Sequence, residues 1–204
     1  MRLLVASNNA KKLRELERIL AGAGIVGVEL VPLSAVAAYD EPVEDGRTFA
    51  DNALIKARAG ARETGLVTVA DDSGLAVEEL GGMPGVLSAR WSGGHGDDAA
   101  NTALLLAQMS DVPEERRAAA FVSVCALVTP DGQEHVSEGR WEGRLLRDEV
   151  GENGFGYDPA FLPNEEIDGA GRSSAQLSAE EKDALSHRGK ALTGLVDVIG
   201  RLAG

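Results

Sequence analysis

The sequence predicts an α/β fold, with a mixed, twisted sheet, flanking helices and two lobes. Three observations carry that prediction. The first third of the chain alternates short, β-branched apolar runs with helical stretches, the pattern of parallel strands joined by crossover helices. The middle then changes to two long strand-like runs joined by a turn, which adds an antiparallel extension and with it a second lobe. The chain has 204 residues, 44% of them hydrophobic and 26% charged, enough to bury a sizeable core as one domain spanning residues 1–204.

Each element follows from local pattern. Arg2 to Ala6 reads as the first strand. Leu13, Leu16, Ile19 and Leu20 give the next segment an apolar helical stripe, with Arg14, Glu15, Glu17 and Arg18 opposite. Gly22 and Gly24 stop that helix. Val28 to Leu33 is the second strand, followed by the acidic loop Asp40 to Gly46. Thr48 and Asp51 are spaced as a capping box for a helix through about Glu63, with Phe49, Ala53, Ala57 and Ala61 on one face. Leu66 to Ala70 is a buried strand, and it is expected to end at Asp71-Asp72-Ser73-Gly74. Asp97 to Met109 forms a helix with an apolar centre. Ala118 to Val128 and Glu134 to Trp141 are strands joined by the turn Pro130-Asp131-Gly132. Ser178 and Glu181 cap a short helix. Ser186 to Leu202 is one final helix, with Leu192, Leu195, Ile199 and Leu202 as its buried stripe.

Composition excludes several classes of function. The net charge of −13 disfavours a nucleic-acid polymer as partner, because such binding relies on Lys and Arg neutralising phosphates. A compact basic island can still hold a small anion. The first residues are too soon polar for a signal peptide, and no apolar run has transmembrane length, so a cytoplasmic location is expected. Cys125, the single cysteine, lies in a strand-like run and reads as an inert buried thiol. No Ser-His-Asp order or nucleophile elbow is present, so a covalent mechanism has little support. His95 and His135 lack metal-ligand spacing to a partner.

Four segments carry chemistry. Asp71-Asp72 at a strand end would suffer mutual repulsion and lost hydration, which a bound divalent cation relieves; an ordinary Asp-Ser-Gly surface turn explains the residues equally well. Ser7-Asn8-Asn9-Ala10-Lys11-Lys12 opens a helix, where backbone N–H groups and lysines favour an anion. Gly154-Phe155-Gly156-Tyr157-Asp158-Pro159 gathers two aromatics in a chain with only 4% of them, which points either to stacking on a planar ligand or to an anchored loop. Ser186-His187-Arg188-Gly189-Lys190 sets cations at a helix start, where they lose stability unless an anion faces them; Lys182 lies just upstream.

Taken in order, these segments resemble the Ham1 family, the inosine triphosphate pyrophosphatases. The match runs almost end to end. It rests on Ser7-x-Asn9-x-x-Lys12, Thr48-Phe49, Asn52-Ala53, Lys56-Ala57, Asp71-Asp72-Ser73-Gly74-Leu75, Gly81-Gly82-Met83-Pro84-Gly85, Ser88-Ala89-Arg90, Phe155 to Pro159 and Ser186 to Gly189. The resemblance implies a homodimer whose two lobes enclose a nucleotide cleft. It also implies Mg²⁺-dependent hydrolysis of ITP, dITP and XTP to monophosphate and pyrophosphate. Matched residue by residue, Ser7, Asn8, Asn9, Ala10, Lys11 and Lys12 would hold the phosphates, with Lys56 a further phosphate contact. Asp72 would be metal ligand and proton acceptor, and Ser73 a substrate contact. Glu44 would be the second metal carboxylate, with Glu41 the fallback. Phe155, Gly156, Tyr157 and Asp158 would pack on the nucleoside, and Lys182, His187 and Arg188 would bind substrate, the last two near the base. Lys11 departs from the family's usual glycine. The alternative is a Maf-like nucleotide pyrophosphatase acting on pyrimidine triphosphates, which the opening motif and Ser186-His187-Arg188 disfavour. A non-catalytic nucleotide sensor is disfavoured by Asp71-Asp72.

Overall fold

The computed structural model describes residues 1–165 and 171–204; side chains at positions 10, 11, 179, 183 and 184 lie outside that description. In chain order the regular elements are β1 (Arg2–Val5), α1 (Ala10–Gly22), β2 (Glu29–Pro32), α2 (Phe49–Thr64), β3 (Val67–Val77) and α3 (Asp98–Gln108). They continue with β4 (Ala118–Val128), β5 (Glu134–Leu145), β6 (Phe161–Pro163), α4 (Ala179–Leu185), α5 (His187–Thr193) and α6 (Val196–Ala203). The sheet has six strands in the order β2-β1-β3-β4-β5-β6. It is mixed, as the alternation of runs implies. Leu4 of β1 lies opposite Val31 of β2 and Thr68 of β3 in parallel register, whereas β5 and β6 are antiparallel. None of the described helices is long and apolar enough to cross a membrane.

The chain divides into two compact units. One comprises Met1–Asp72, Ser123–Gly139 and Arg188–Gly204; the other comprises Ser73–Val122 and Arg140–His187. In the first, the stripe of α1 delivers Leu16 and Leu20 against Leu3, Val69, Leu127, Leu192, Leu195 and Ile199. Each such leucine, removed from water, contributes about 1.5–3 kcal/mol. In the second, Leu75, Leu105, Met109, Phe121, Trp141 and Phe161 form the core, with Phe121 meeting Phe161 edge-on at 4.7 Å between ring centroids. Buried Arg117 ties this unit together. Its guanidinium donates to the carbonyls of Leu145 (3.0 Å), Met109 (2.6 Å) and Leu146 (2.7 Å), and burial lowers its pKa.

Two expectations are corrected. The third strand does not end at Asp71. It continues through Asp72, Ser73 and Gly74 to Val77, because tertiary contacts hold residues of poor strand propensity there. Leu75 N–H donates to Ser88 Oγ at 2.9 Å. A Cβ on Gly74 would come within 2.7 Å of the Gly85 carbonyl oxygen and 2.9 Å of Ser88 Cβ, so glycine serves a close approach here and no turn. The final helix is also not continuous. It breaks between Thr193 and Val196 into α5 and α6. Gly194 has poor helix propensity, and Leu195 N–H bonds tightly back to the Leu192 carbonyl at 3.0 Å.

Candidate functional site

In the first unit the strand β3 carries Asp71 and Asp72 side by side in sequence. Successive strand residues point to opposite faces, so adjacent carboxylates need not share one environment. Asp71 is buried and accepts from Lys12 Nζ at 2.8 Å and from Arg188 Nε at 3.2 Å. Burial by itself would raise its pKa. The positive charges of Lys12 and Arg188 outweigh that and hold the carboxyl down at about 2. Arg188 also lies 3.9 Å from Glu15. The anion that the cations of Ser186 to Lys190 called for is thus supplied, at Arg188, by the protein's own Asp71. A cavity of about 20 Å³ beside the trio is lined by Ser7, Lys12, Asp71 and Arg188 together with Val5, Leu16, Val69, Ala70 and Leu192, room for about one water.

Asp72 has different partners. Asn52 Nδ2 donates to its Oδ2 at 3.0 Å, and Lys56 Nζ lies 3.9 Å from its Oδ1. The same Lys56 ammonium bonds Glu44 Oε2 at 2.8 Å. Helix α2 positions both donors: Asn52 and Lys56 are one turn apart on the face turned toward β3. Its start is fixed by the expected capping box, Thr48 accepting from Asp51 N–H while Asp51 accepts from Thr48 N–H. Asn52 is also the anchor for the acidic loop, accepting from Gly46 N–H at 2.9 Å. A Cβ at Gly46 would sit 2.6 Å from Asn52 Oδ1.

Of the two acidic-loop carboxylates, Glu44 shares Lys56 with Asp72, and Glu41 instead accepts from Asn8 Nδ2 at 2.9 Å. At the start of α1, Asn9 N–H donates to Ser7 Oγ at 3.1 Å and Lys12 N–H to the Asn9 carbonyl. The side chains of Ala10 and Lys11 lie outside the described residues.

In the second unit the segment Gly154 to Asp158 is pegged at several points. Asp158 is 1% exposed and accepts from Phe155 N–H at 2.8 Å, from Ser174 Oγ at 2.7 Å and from Lys182 Nζ. Lys182 also lies 5.1 Å from the centroid of the Phe155 ring. Gly154, at φ +86°, would put a Cβ against the Asp158 carboxylate, so only glycine fits. Buried Tyr157 donates to the Ser88 carbonyl at 2.8 Å, and burial raises its phenol's pKa. Phe155 itself is 67% exposed. His187 stacks on Phe121 with centroids 5.4 Å apart. Ser73 follows Asp72 along β3.

Asn52 and Asp71 are the residues whose positions sequence reasoning did not assign. Asn52 had a signal: it is a polar residue among the alanines of α2's buried face. Asp71 was marked by its adjacency to Asp72, as a support for Asp72 or a lysine, but its partners Lys12 and Arg188 lie far off in the chain.

The chain matches the Ham1 family over residues 3–198. It is 73% identical over 203 residues to the dITP/XTP pyrophosphatase of Corynebacterium glutamicum, covering 100% of this chain and 98% of that one. To the dITP/XTP pyrophosphatase of Mycobacteroides abscessus it is 62% identical over 202 residues, covering 99% and 96%. Among solved structures, the nucleoside-triphosphatase / dITP/XTP pyrophosphatase of Mycobacterium abscessus superposes with a TM-score of 0.83 at 63% identity, covering 98% of this chain and 100% of that one. The Ham1 protein of Staphylococcus aureus does so with a TM-score of 0.87 at 33% identity, over 99% and 100%. By sequence over its whole length and by fold, the chain belongs to the Ham1 family.

Proposed function

We propose that this chain hydrolyses ITP, dITP and XTP to the monophosphate and pyrophosphate, clearing deaminated purines from the nucleotide pool. The observation that carries the reading is Asp72, set between an orienting amide and an ammonium shared with Glu44, in a chain 73% identical to a dITP/XTP pyrophosphatase.

In this reading Asn52 holds one oxygen of Asp72 and leaves the carboxylate to accept a proton from a water attacking the α-phosphorus. The bond from that phosphorus to the bridging oxygen breaks, and the electron pair leaves with pyrophosphate. Lys12 and Lys56 stand against the charge that develops on the phosphate oxygens. Arg188, with Nε bonded to Asp71, is assigned as the donor to a 6-oxo group of the base. Adenine presents an amino donor at that position, so two donors would face each other. Phe155 supplies a face for the base, with Lys182 beside it.

Family membership also motivates Mg²⁺ dependence, a homodimer and a cytoplasmic location as parts of the proposal. The donor set suits a hard cation. Glu44 and Asp72 already share one positive group, Lys56, and both are oxygen donors. No cluster of three or more His, Cys, Asp or Glu side chains able to hold a metal occurs among the described residues. A hard cation would neutralise charge on the phosphates.

The test is a panel of ITP, dITP, XTP, GTP, ATP, dTTP and UTP, each incubated with the protein and Mg²⁺, with pyrophosphate measured against orthophosphate. Pyrophosphate from ITP, dITP and XTP is expected. Orthophosphate as the primary product refutes attack at the α-phosphorus. Pyrophosphate from pyrimidines alone establishes the Maf-like alternative.

A further inference from the structure

The exposed Phe155 ring stands on a backbone gripped from helix α3. Gly156 N–H donates to Asp98 Oδ2 at 2.8 Å, and Thr102 Oγ donates to the Gly156 carbonyl at 3.4 Å. Asp98 and Thr102 are four residues apart, one above the other on the same face of α3. The helix is itself fixed at its start by Asp97, whose side chain accepts from Ala100 N–H. Gly156 has φ +59°, a left-handed conformation that leaves its amide group exposed to such partners on both sides. Phe155 N–H is held from the other direction by Asp158. A loop whose tip is 67% exposed is therefore fixed through its peptide groups, with no packing of the ring required.

We infer that Asp98 and Thr102 are positioning residues for purine recognition, gripping both polar groups of Gly156 so that the Phe155 ring is set in place before substrate arrives. The inference rests on the reading of Phe155 as the surface on which the base packs. Neither residue touches substrate. Their contribution is to remove, in the free protein, the ordering cost that a loose aromatic loop would otherwise incur on binding.

Three measurements test it together: steady-state kinetics with ITP, inhibition by inorganic tripolyphosphate (which has no base), and amide exchange at Gly156. Asp98→Ala is expected to raise KM for ITP about tenfold, with kcat within about twofold and tripolyphosphate inhibition unchanged. Exchange at Gly156 should quicken. Asp98→Asn keeps an acceptor oxygen and should restore KM to within about threefold of wild type. Thr102→Val, which keeps the shape and loses the donor, serves as the second variant and should show the same split more weakly. An unchanged KM in a folded Asp98→Ala protein overturns the inference, as does an equal loss of ITP and tripolyphosphate binding. Failure of the wild type to turn over ITP is a different result, and it overturns the proposed function first.

Discussion

Asp71 and Asp72 are neighbours with separate tasks, and their partners divide them. Asp72 sits against Asn52 and Lys56, and under its proposed role as proton acceptor its removal has a defined cost. Asp72→Asn keeps the shape and should lower kcat for ITP by at least about 10²–10⁴, measured at saturating Mg²⁺; turnover near wild type sinks the assignment. Asp71 neutralises two cations in a buried setting, so its effect belongs to stability. Its folded pKa of about 2 lies below the unfolded value of about 3.9. The stabilisation is therefore complete above the unfolded value and lost as pH falls through about 4 towards 2. Its size is about 2 kcal/mol. Denaturant titrations of wild type and Asp71→Asn should show a stability gap that is constant from about pH 6 to 8 and narrows below about pH 4. A gap that stays the same down to acid pH contradicts the assignment.

At the scale of elements, β3 and the final helix are misjudged from the sequence, and for β3 the reason is physical. Its first half, rich in valine, declares itself; Asp-Asp-Ser-Gly does not. That half is kept extended by partners that lie elsewhere in the chain, such as Ser88. Gly74→Ala should therefore cost about 1–3 kcal/mol through the collision with Gly85 and Ser88, read as a lower melting temperature with the secondary structure retained; an unchanged melting temperature means the loop yields freely. Local patterns did make much else legible. The stripe of α1 and the capping boxes of α2 and α4 were readable from spacing; Lys12, Lys56, Asp72 and Glu44 were singled out by resemblance, and the structure sets Lys12 on Asp71 and Lys56 between Glu44 and Asp72. The pair Asp71–Arg188 was not, because its members lie 117 positions apart and only the tertiary fold joins them. The break before α6 was hidden for a related reason: the apolar stripe runs on through Gly194 without interruption.

Over the whole molecule the charge of −13 sets a limit on partners. Excess duplex DNA at physiological ionic strength should leave ITP turnover unchanged; inhibition that added salt relieves would reveal a basic surface that the composition does not suggest. The division of the chain has another consequence. The chain passes between its two units at Asp72, Val122, Gly139 and His187, and returns to the first unit for Arg188–Gly204. Strand β1 is therefore packed by a segment far from it along the chain, through Leu192, Leu195 and Ile199. Arg188, one of the two cations on Asp71, belongs to that same stretch. A chain truncated before Arg188 would leave Asp71 short of a counter-charge and the core of the first unit open on one side. Closure of that core and neutralisation of Asp71 thus depend on one and the same segment of the chain.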